Sequence, residues 1–350
     1  MASHRSDRAP VMADVARIAG VSTMTVSRVL SGHPNVSPTT RTRVERAVER
    51  LGYRPNTAAR ALVTGRTATI GVVAVETPHY GPANTLFGIE AAARDAGLFV
   101  TVALVRNVDE ASIQDAVDHL RSANVDGLAV VAPTRTAAAA VEHLSDGALP
   151  LVVLHGVADG AGDDVGIDQD GGARAATAHL LDLGHRTVHH VRGRRGWLEA
   201  GARADAWRAV LRERGRVVPD AVPGDWTARS GYEAGLRLAA DPGVTAVFAA
   251  NDQMALGVLR AMQEAGRRVP DDVSVVGFDD IPEAAYLVPP LTTVRQDFTE
   301  LGRRCVARLR DLLDGLTTEG QDLIPADLVV RASSAPPFGR GLRRGSRRHA

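Results

Sequence analysis

The chain of 350 residues contains no lysine, one cysteine and few aromatic residues, which make up 4% of the composition. The single Cys305 excludes an intrachain disulfide bond and a zinc site built from several cysteines, and it fits a reducing compartment. Without lysine the chain cannot form the phosphate loop of nucleotide hydrolases. Motifs of serine hydrolases and zinc proteases are also missing, as is a clear Gly-x-Gly-x-x-Gly turn after a strand. These absences argue against an enzyme and against a bound cofactor.

A metal site built from histidines is not expected either. His189 and His190 are adjacent in a strand candidate, close to His185, and adjacent strand positions point to opposite faces. Long apolar runs are absent, because polar residues or glycine interrupt each run before the ~20 residues that span a bilayer. The N-terminal MASHRSDRAP is too polar for a signal peptide. We therefore expect a cytoplasmic protein that does not cross a membrane.

The formal net charge of zero conceals two basic ends and an acidic middle. Residues 1–66 contain eleven arginines and four acidic residues, a balance of +7, and residues 331–350 contain six arginines and no acidic residue. The part between them therefore carries −13. A basic N-terminal unit on an acidic body is expected of a protein that approaches a polyphosphate with one end only.

Three short helices are predicted within residues 11–52. The first covers about Met12–Ala19, the second follows Ser22, and the third follows Ser37, a suitable N-cap with Pro38 at the first helical position. The tight turn between the first two helices indicates a helix-turn-helix, whose second helix presents its N-terminal residues to the major groove of DNA. A small helical bundle that merely packs on the rest of the protein is the alternative.

The second helix supplies the candidate DNA contacts. Thr23 and Met24 would face base edges, and Arg28, one turn further, would reach O6 and N7 of a guanine. Short hydroxyl side chains suit phosphate contacts, which fix the register without specifying the sequence. These are the side chains of Ser22, Thr25 and Ser27.

From Thr69 the pattern changes to apolar strands that alternate with segments of helical length. The strand candidates are TIGVVAV, LFVTVALV, GLAVVAP, PLVVLHG, TVHHVRG, AVFAAND and VSVVGFDD. Such alternation is typical of parallel sheets covered by helices on both faces, and seven or more strands predict two sheets. Their boundary is expected near residues 158–165, with a return crossing near 289–291. The tail PPFGRGLRRGSRRHA is predicted to be disordered.

Seven segments resemble, in the same order, those of the lactose-repressor family of transcription regulators: DVARIAGVSTMTVSRVLSG, VSPTTRTRVERAVERLGYRPN, AARAL, GDWTARSGY, ANDQMALG, VSVVGFDD and PPLTTVRQDF. The resemblance implies an α/β protein with an all-α helix-turn-helix headpiece and a doubly wound, two-subdomain core like that of periplasmic binding proteins. The implied domains are residues 11–66, with a hinge helix at about 56–64, residues 67–335, and a basic tail at 336–350. Within the core, one subdomain would combine 67–160 with 292–322, and the other 163–290 with 323–335.

The resemblance also implies a repressor that binds a pseudo-palindromic operator in double-stranded DNA as a homodimer. Hinge helices would fold in the minor groove, with Leu62 as an apolar wedge between base pairs and Ala59 close in the groove. Further DNA contacts are assigned to Asn35, Tyr53 and Asn56. Dimer contacts are expected on the helices around residues 82–97 and 110–122.

One departure concerns the start of the first helix. Val11 stands where the resemblance puts a threonine N-cap. The absence of this cap costs on the order of 1 kcal/mol of local stability.

The implied effector is a sugar bound between the subdomains at the carboxyl ends of the strands. Charged and amide groups there bind sugar hydroxyls, and a tryptophan stacks on the pyranose ring. The assigned residues are His79, His155, Arg203, Trp226, Asn251, Asp279, Gln296 and Phe298.

A galactoside is favoured as the effector. However, His155 and Val131 stand where the resemblance puts an aspartate and an asparagine. A β-glucoside, another disaccharide or a phosphorylated sugar therefore stays open. A transport-type sugar-binding protein shares the core fold, but it would need a signal peptide and would have no use for residues 11–65.

Overall fold

The computed structural model describes residues 9–30, 32–54, 61, 65–107, 109–144, 149–155, 164–316 and 320–337. The chain folds into two compact units, with the division between Thr67 and Ala68. Leu62, Ala59 and Asn56, and with them most of the predicted hinge helix, lie outside the described residues. The same holds for residues 338–350 of the tail.

The N-terminal unit consists of three helices, α1 (Met12–Ala19), α2 (Thr23–Leu30) and α3 (Pro38–Leu51). Their positions confirm the sequence prediction. Ser22 Oγ accepts a hydrogen bond from the backbone of Thr25 at 3.1 Å and so caps α2. The left-handed backbone of Gly52, with φ of 60°, ends α3 in a conformation that glycine adopts without strain.

Helix α1 begins without a side-chain cap. The valine side chain at position 11 cannot accept a hydrogen bond, and only the reverse half of a capping box is present. In that half, the backbone N–H of Val11 donates to the Asp14 carboxylate at 3.1 Å. The first turn is therefore held less firmly than the first turns of α2 and α3.

The second unit contains a six-stranded parallel sheet, whose strands are β1 (Thr69–Val75), β2 (Phe99–Val105), β3 (Gly127–Val131), β4 (Leu151–Leu154), β5 (Val165–Ile167) and β11 (Asp322–Ile324). They lie in the order β11-β5-β4-β3-β1-β2. Successive residues of β1 are buried on opposite faces, Val72 in one apolar cluster and Val73 in another. Both faces of the sheet are therefore covered, as the continuous apolar runs predict.

The second sheet consists of β6 (His189–Arg192), β7 (Val222–Pro223), β8 (Ala246–Ala249) and β9 (Ser274–Val276). Its strands are also parallel and lie in the order β7-β6-β8-β9. Strands β10 (Thr293–Arg295) and β12 (Asp327–Val329) form a separate antiparallel pair.

The helices of the second unit are α4 (Tyr80–Asp95), α5 (Glu110–Ser122), α6 (Arg135–Leu144), α7 (Gln169–Asp182), α8 (Leu198–Glu213), α9 (Ala228–Ala239), α10 (Asp252–Glu264) and α11 (Phe298–Leu313). A short 3₁₀-helix covers Pro282–Tyr286. Among the described helices, none is both long and apolar enough to cross a membrane.

The strand pairing corrects the expected division of the core. Residues 163–290 were assigned to the second sheet, yet β5 pairs with β4 and β11 in the first sheet. Likewise β10 and β12, expected in different subdomains, pair with each other. The reason is that β5, β10, β11 and β12 have three residues each. Strands this short carry too little alternation for the sequence pattern to place them.

Candidate ligand cavity and DNA-binding surface

A cavity lies between the two sheets, at the carboxyl ends of their strands. The residues that follow β1, β4, β8 and β9 all reach it, as the topology of open parallel sheets predicts. All eight residues assigned to an effector line it: His79, His155, Arg203, Trp226, Asn251, Asp279, Gln296 and Phe298. Elements of both sheets therefore contribute to one site.

Four buried side chains form a ring in the cavity wall, made of three hydrogen bonds and closed by one ion pair. Arg203 Nε donates to Gln169 Oε1 at 2.8 Å, and Gln169 Nε2 donates to Gln296 Oε1 at 2.8 Å. Gln296 Nε2 then donates to Asp279 Oδ1 at 2.7 Å, and this oxygen lies 3.7 Å from Arg203 Nη1. Because each member orients the next, the ring holds its remaining donors and acceptors in fixed directions before any ligand binds.

The guanidinium of Arg203 is further fixed from outside the ring. Its Nη1 donates to the carbonyl of Ala250, and its central carbon lies 3.7 Å from the ring centre of Phe278. Stacking on an aromatic face together with in-plane hydrogen bonds suits the planar guanidinium of arginine and not the ammonium group of lysine.

Burial controls the ionisation of these groups. It raises the pKa of Asp279 to about 6, while the nearby Arg203 guanidinium and the Gln296 amide act in the opposite direction. Burial also lowers the pKa of Arg203 and raises the pKa of Glu199. Asp252, behind the site, has a pKa well above the usual range for the same reason. The carboxyl groups of the site therefore hold their protons more tightly than they would in water.

Trp226 forms an aromatic wall of the cavity. Its side chain is 5% exposed, and its ring centre lies 5.8 Å from that of Trp197 in an edge-on arrangement. A Cβ atom at position 193 would lie 2.1 Å from the indole, so Gly193 leaves the space that the ring fills. Asn251 Nδ2 donates to the Trp226 carbonyl at 3.0 Å and fixes the loop that carries the ring.

The backbone is strained at the same place. Trp226, Asp279 and Asp280 have φ angles of 78°, 116° and 52°, which non-glycine residues rarely adopt. Two arginines hold Asp280, since Arg295 Nε lies 2.8 Å and Arg331 Nη2 lies 2.6 Å from its carboxylate. Strain of this kind, of order 1–3 kcal/mol per residue, persists where surrounding contacts enforce it and is concentrated at ligand sites.

Asn251 and His155 already have partners in the cavity. Asn251 caps α10, because its Oδ1 accepts a hydrogen bond from Met254 N at 3.0 Å, and its Nδ2 also donates to Gln253 Oε1 at 2.8 Å. His155 Nε2 lies 3.1 Å from Asp164 Oδ2, and both side chains are buried. A ligand would meet these two residues as parts of existing hydrogen-bonded groups.

The sequence analysis missed several cavity residues. Gln169 opens α7 directly after β5, and β5 itself was not recognised as a strand. Trp197 and Glu199 lie at the start of α8, after the carboxyl end of β6. The rule that ligands bind at strand ends applies to both positions and could have found them.

The residues assigned to DNA bases lie on the exposed surface of α2. Met24 is 63% exposed, and Thr23 and Arg28 are exposed, whereas Val26 and Val29 are buried against α1 and α3. The hydroxyl residues assigned to phosphates are exposed or half-buried, namely Ser22, Thr25 and Ser27. The second helix thus turns a mainly polar face outward.

Asn35 is exposed, whereas Tyr53, which is also assigned to DNA, is largely buried. It is 7% exposed and packs in the apolar core of the N-terminal unit. The other fully buried members of that core are valines and alanines, so one large ring is needed to fill the space between three short helices.

These two units define a class of protein: a helix-turn-helix unit joined to a ligand-binding core. Residues 11–56 match the bacterial regulatory proteins of the lacI family, and residues 177–334 match the periplasmic binding protein-like domain. The lactose operon repressor of Escherichia coli (strain K12) is 34% identical over 326 residues, which cover 93% of this chain and 90% of that protein. The regulator CelR of Thermobifida fusca is 36% identical over 345 residues, 93% of this chain and 98% of that protein.

Solved structures agree with these relatives. The lac repressor dimer bound to operator and the anti-inducer ONPF is similar, with a TM-score of 0.81 and 33% identity over 94% of this chain and 100% of that chain. A complex of the regulator CelR with cellobiose has a TM-score of 0.68 and 32% identity over 93% of this chain and 100% of that chain. The chain belongs to the lacI family of bacterial regulatory proteins. Its relatives are transcription regulators and not enzymes.

Proposed function

We propose that the chain is a sequence-specific repressor that binds a pseudo-palindromic operator as a homodimer and is released by a sugar bound in the cavity. The observation that carries the proposal is the exposed polar face of α2 on a closed apolar bundle. One such unit buries little DNA surface, so two units fixed by a dimer are needed for tight binding.

The DNA contacts follow from the position of each side chain on α2. Thr23 and Met24, in the first turn, contact base edges, and Arg28 reaches a guanine one turn later. The hydroxyls of Ser22, Thr25 and Ser27 bind phosphates. Ser22 Oγ accepts the capping hydrogen bond and shares a second hydrogen bond with Thr25 Oγ1 at 2.9 Å. One of these two hydroxyls uses its hydrogen in that bond, and the other can still donate its hydrogen to a phosphate oxygen.

An exposed apolar surface on α4 and β2 supports the homodimer. Phe87 and Leu104 border one groove and are 68% and 55% exposed, and Phe99 is 59% exposed. Strand β2 is at the edge of its sheet, where unpaired backbone groups invite a partner. Helix α5, the other expected contact, turns its apolar residues inward, so the proposed interface is α4 with β2.

A neutral sugar suits the cavity for two reasons. The ring of Arg203, Gln169, Gln296 and Asp279 offers fixed donors and acceptors to hydroxyl groups, and Trp226 offers an apolar face for a pyranose. A galactoside is the first candidate. A β-glucoside disaccharide is the second, because the relative CelR was solved with cellobiose and because His155 replaces an expected aspartate.

Release from DNA requires that the sugar bind two arrangements of the core with different affinity. The cavity permits this, because its walls come from both sheets. The segments that follow β3 and β6, one from each sheet, also contact each other directly. The backbone N–H of Leu198 donates to the carbonyl of Pro133 at 2.8 Å, and Thr134 and Trp197 form an isolated antiparallel β-bridge. A ligand that changes the spacing of these walls would also change how the two DNA-binding units of the dimer are arranged.

The DNA part of the proposal is tested by selecting bound sites from random DNA with the full chain. We expect a pseudo-palindromic site, and a chain without residues 1–66 should lose binding while its core stays folded and dimeric. Operator binding by the truncated core at full strength would contradict the assignment.

The sugar part is tested by calorimetry with galactosides, glucosides and disaccharides, followed by the effect of each on the operator complex. Asp279→Asn and Trp226→Ala should reduce the sugar response and leave DNA binding without sugar unchanged. His155→Asp should raise the affinity for simple galactosides. A response to a purine or an amino acid, with no heat from any sugar, would exclude the sugar assignment.

A further inference from the structure

Two buried polar atoms of the cavity lack a hydrogen-bond partner among the described residues. These atoms are Glu199 Oε2 and Trp226 Nε1, and both side chains line the cavity. Leaving a buried donor or acceptor unsatisfied costs about 1–3 kcal/mol, and more for a charged group. Such atoms persist at a ligand site because the ligand supplies the missing partner.

The position of Glu199 explains why the fold tolerates a carboxylate with one oxygen that lacks a hydrogen bond from the described residues. It is the second residue of α8, where the backbone N–H groups of the first helical turn favour a negative charge. Arg203 lies one turn later on the same helix, but it donates to Gln169 and to the carbonyl of Ala250 and faces Asp279. Its Nε and Nη1 therefore serve other partners, and its charge reaches Glu199 only as an electrostatic interaction that opposes the effect of burial on the pKa of Glu199. Glu199 Oε2 is left for a ligand.

The cationic side chains that line the described cavity are poorly suited to neutralise an anionic ligand. Arg203 is the single arginine among the residues that line the described cavity. His155 is already paired with Asp164, and His79 has a pKa lowered by burial and by Arg194. A phosphate placed here would face two acidic side chains, Glu199 and Asp279, and the one arginine of the lining already has other partners. The charge of the phosphate would therefore be poorly compensated in a buried site, which is strongly unfavourable.

We propose that Glu199 determines the specificity of the effector site, by accepting a hydrogen bond from a hydroxyl of an uncharged saccharide while Trp226 Nε1 donates to an oxygen of the same saccharide. The inference rests on the proposed sugar-binding function and narrows it. The carboxylate expected at position 155 is replaced by one from α8, which lies near enough to His155 for the two side chains to interact electrostatically. Phosphorylated and acidic sugars are rejected, and neutral disaccharides are accepted.

The test is calorimetry of the full chain with lactose, cellobiose and galactose 6-phosphate. Glu199→Gln keeps the shape of the side chain and removes its charge. Glu213→Gln is the matched control, because Glu213 is on the same helix, 58% exposed and paired with Arg174 at the surface. Operator binding without sugar reports the folding of each variant, and Glu199→Asp, which withdraws the carboxylate by one methylene, is the second variant.

We expect the unmodified chain to bind at least one neutral disaccharide and to give no heat with galactose 6-phosphate. Glu199→Gln and Glu199→Asp should each weaken the disaccharide by about tenfold or more, as expected for a hydrogen bond to a charged group. Glu213→Gln should bind like the unmodified chain. Equal disaccharide affinity in Glu199→Gln, or a preference of the unmodified chain for the phosphate, would overturn the role of Glu199 and leave sugar binding intact. No heat from any sugar would overturn both proposals.

Discussion

Gly193→Ala is the sharpest test of how the cavity is built. The new Cβ atom would lie 2.1, 2.3 and 2.4 Å from three ring atoms of Trp226, well inside van der Waals contact. The indole is buried and rigid, so the whole ring has to move and its contact with Arg203, at 5.5 Å, is disturbed. Overpacking of this kind destabilises a folded domain by about 1–3 kcal/mol. It also removes the stacking face, so sugar affinity should fall together with stability.

Gly201→Ala is the matched control for this substitution. Gly201 lies within α8, and a Cβ atom there meets nothing within 4 Å. Alanine in a helix is favoured over glycine by up to ~1 kcal/mol, so this variant should be slightly more stable than the unmodified chain. Urea denaturation followed by circular dichroism gives the two stabilities, and calorimetry gives the sugar affinities. If Gly193→Ala matched the unmodified chain in both, Trp226 would not be held as the structure indicates.

The helices of the N-terminal unit could be predicted because their signals are local. Ser22 and Ser37 accept hydrogen bonds from residues three positions later, and Gly52 ends α3 in a left-handed conformation. Each signal depends on a few neighbouring residues and needs no knowledge of distant contacts. The burial of Tyr53 was missed, because it depends on how three helices pack and not on any one of them.

The strands show the same limit. Thr69–Val75 is a long apolar run and matches β1 residue for residue. Val165–Ile167 has three residues, and its membership of the first sheet depends on pairing with Asp322–Ile324, far along the chain. Sequence periodicity therefore gives the strands that are long enough to show a pattern, and it leaves the topology of the short ones open.

The cavity could be predicted from the sequence only in part. The rule for parallel sheets and the family resemblance brought together the residues that line it, yet they did not show how those residues bond to one another. Gln169 and Gln296 are 127 positions apart in the sequence, yet Gln169 Nε2 lies 2.8 Å from Gln296 Oε1. The free oxygen of Glu199 likewise depends on where Arg203 directs its donors. Such properties belong to the packed structure and have no signature in a local pattern.

Three further predictions concern single side chains. Val11→Thr should supply the missing cap of α1 and stabilise the N-terminal unit by about 1 kcal/mol in thermal unfolding; no gain would show that Asp14 already suffices. Arg28→Ala should lose about 1–3 kcal/mol of discrimination at one base pair in operator titrations, and a uniform loss over all sequences would instead indicate a phosphate contact. Burial raises the pKa of Asp279 to about 6, so between about pH 4 and 6 the folded chain keeps a proton that the unfolded chain has released. This stabilisation is complete below about pH 4 and is lost as the pH rises through 6, and a shift of two pKa units corresponds to about 3 kcal/mol. Urea denaturation from about pH 4 to 7 should therefore show a decline in stability that is shallower in Asp279→Asn. Asp252 has a pKa raised first by burial and next by the charge of Asp279, so Asp279→Asn also brings the pKa of Asp252 closer to its usual range and flattens the decline further. Identical declines in the two chains would therefore show that Asp279 does not titrate in this range.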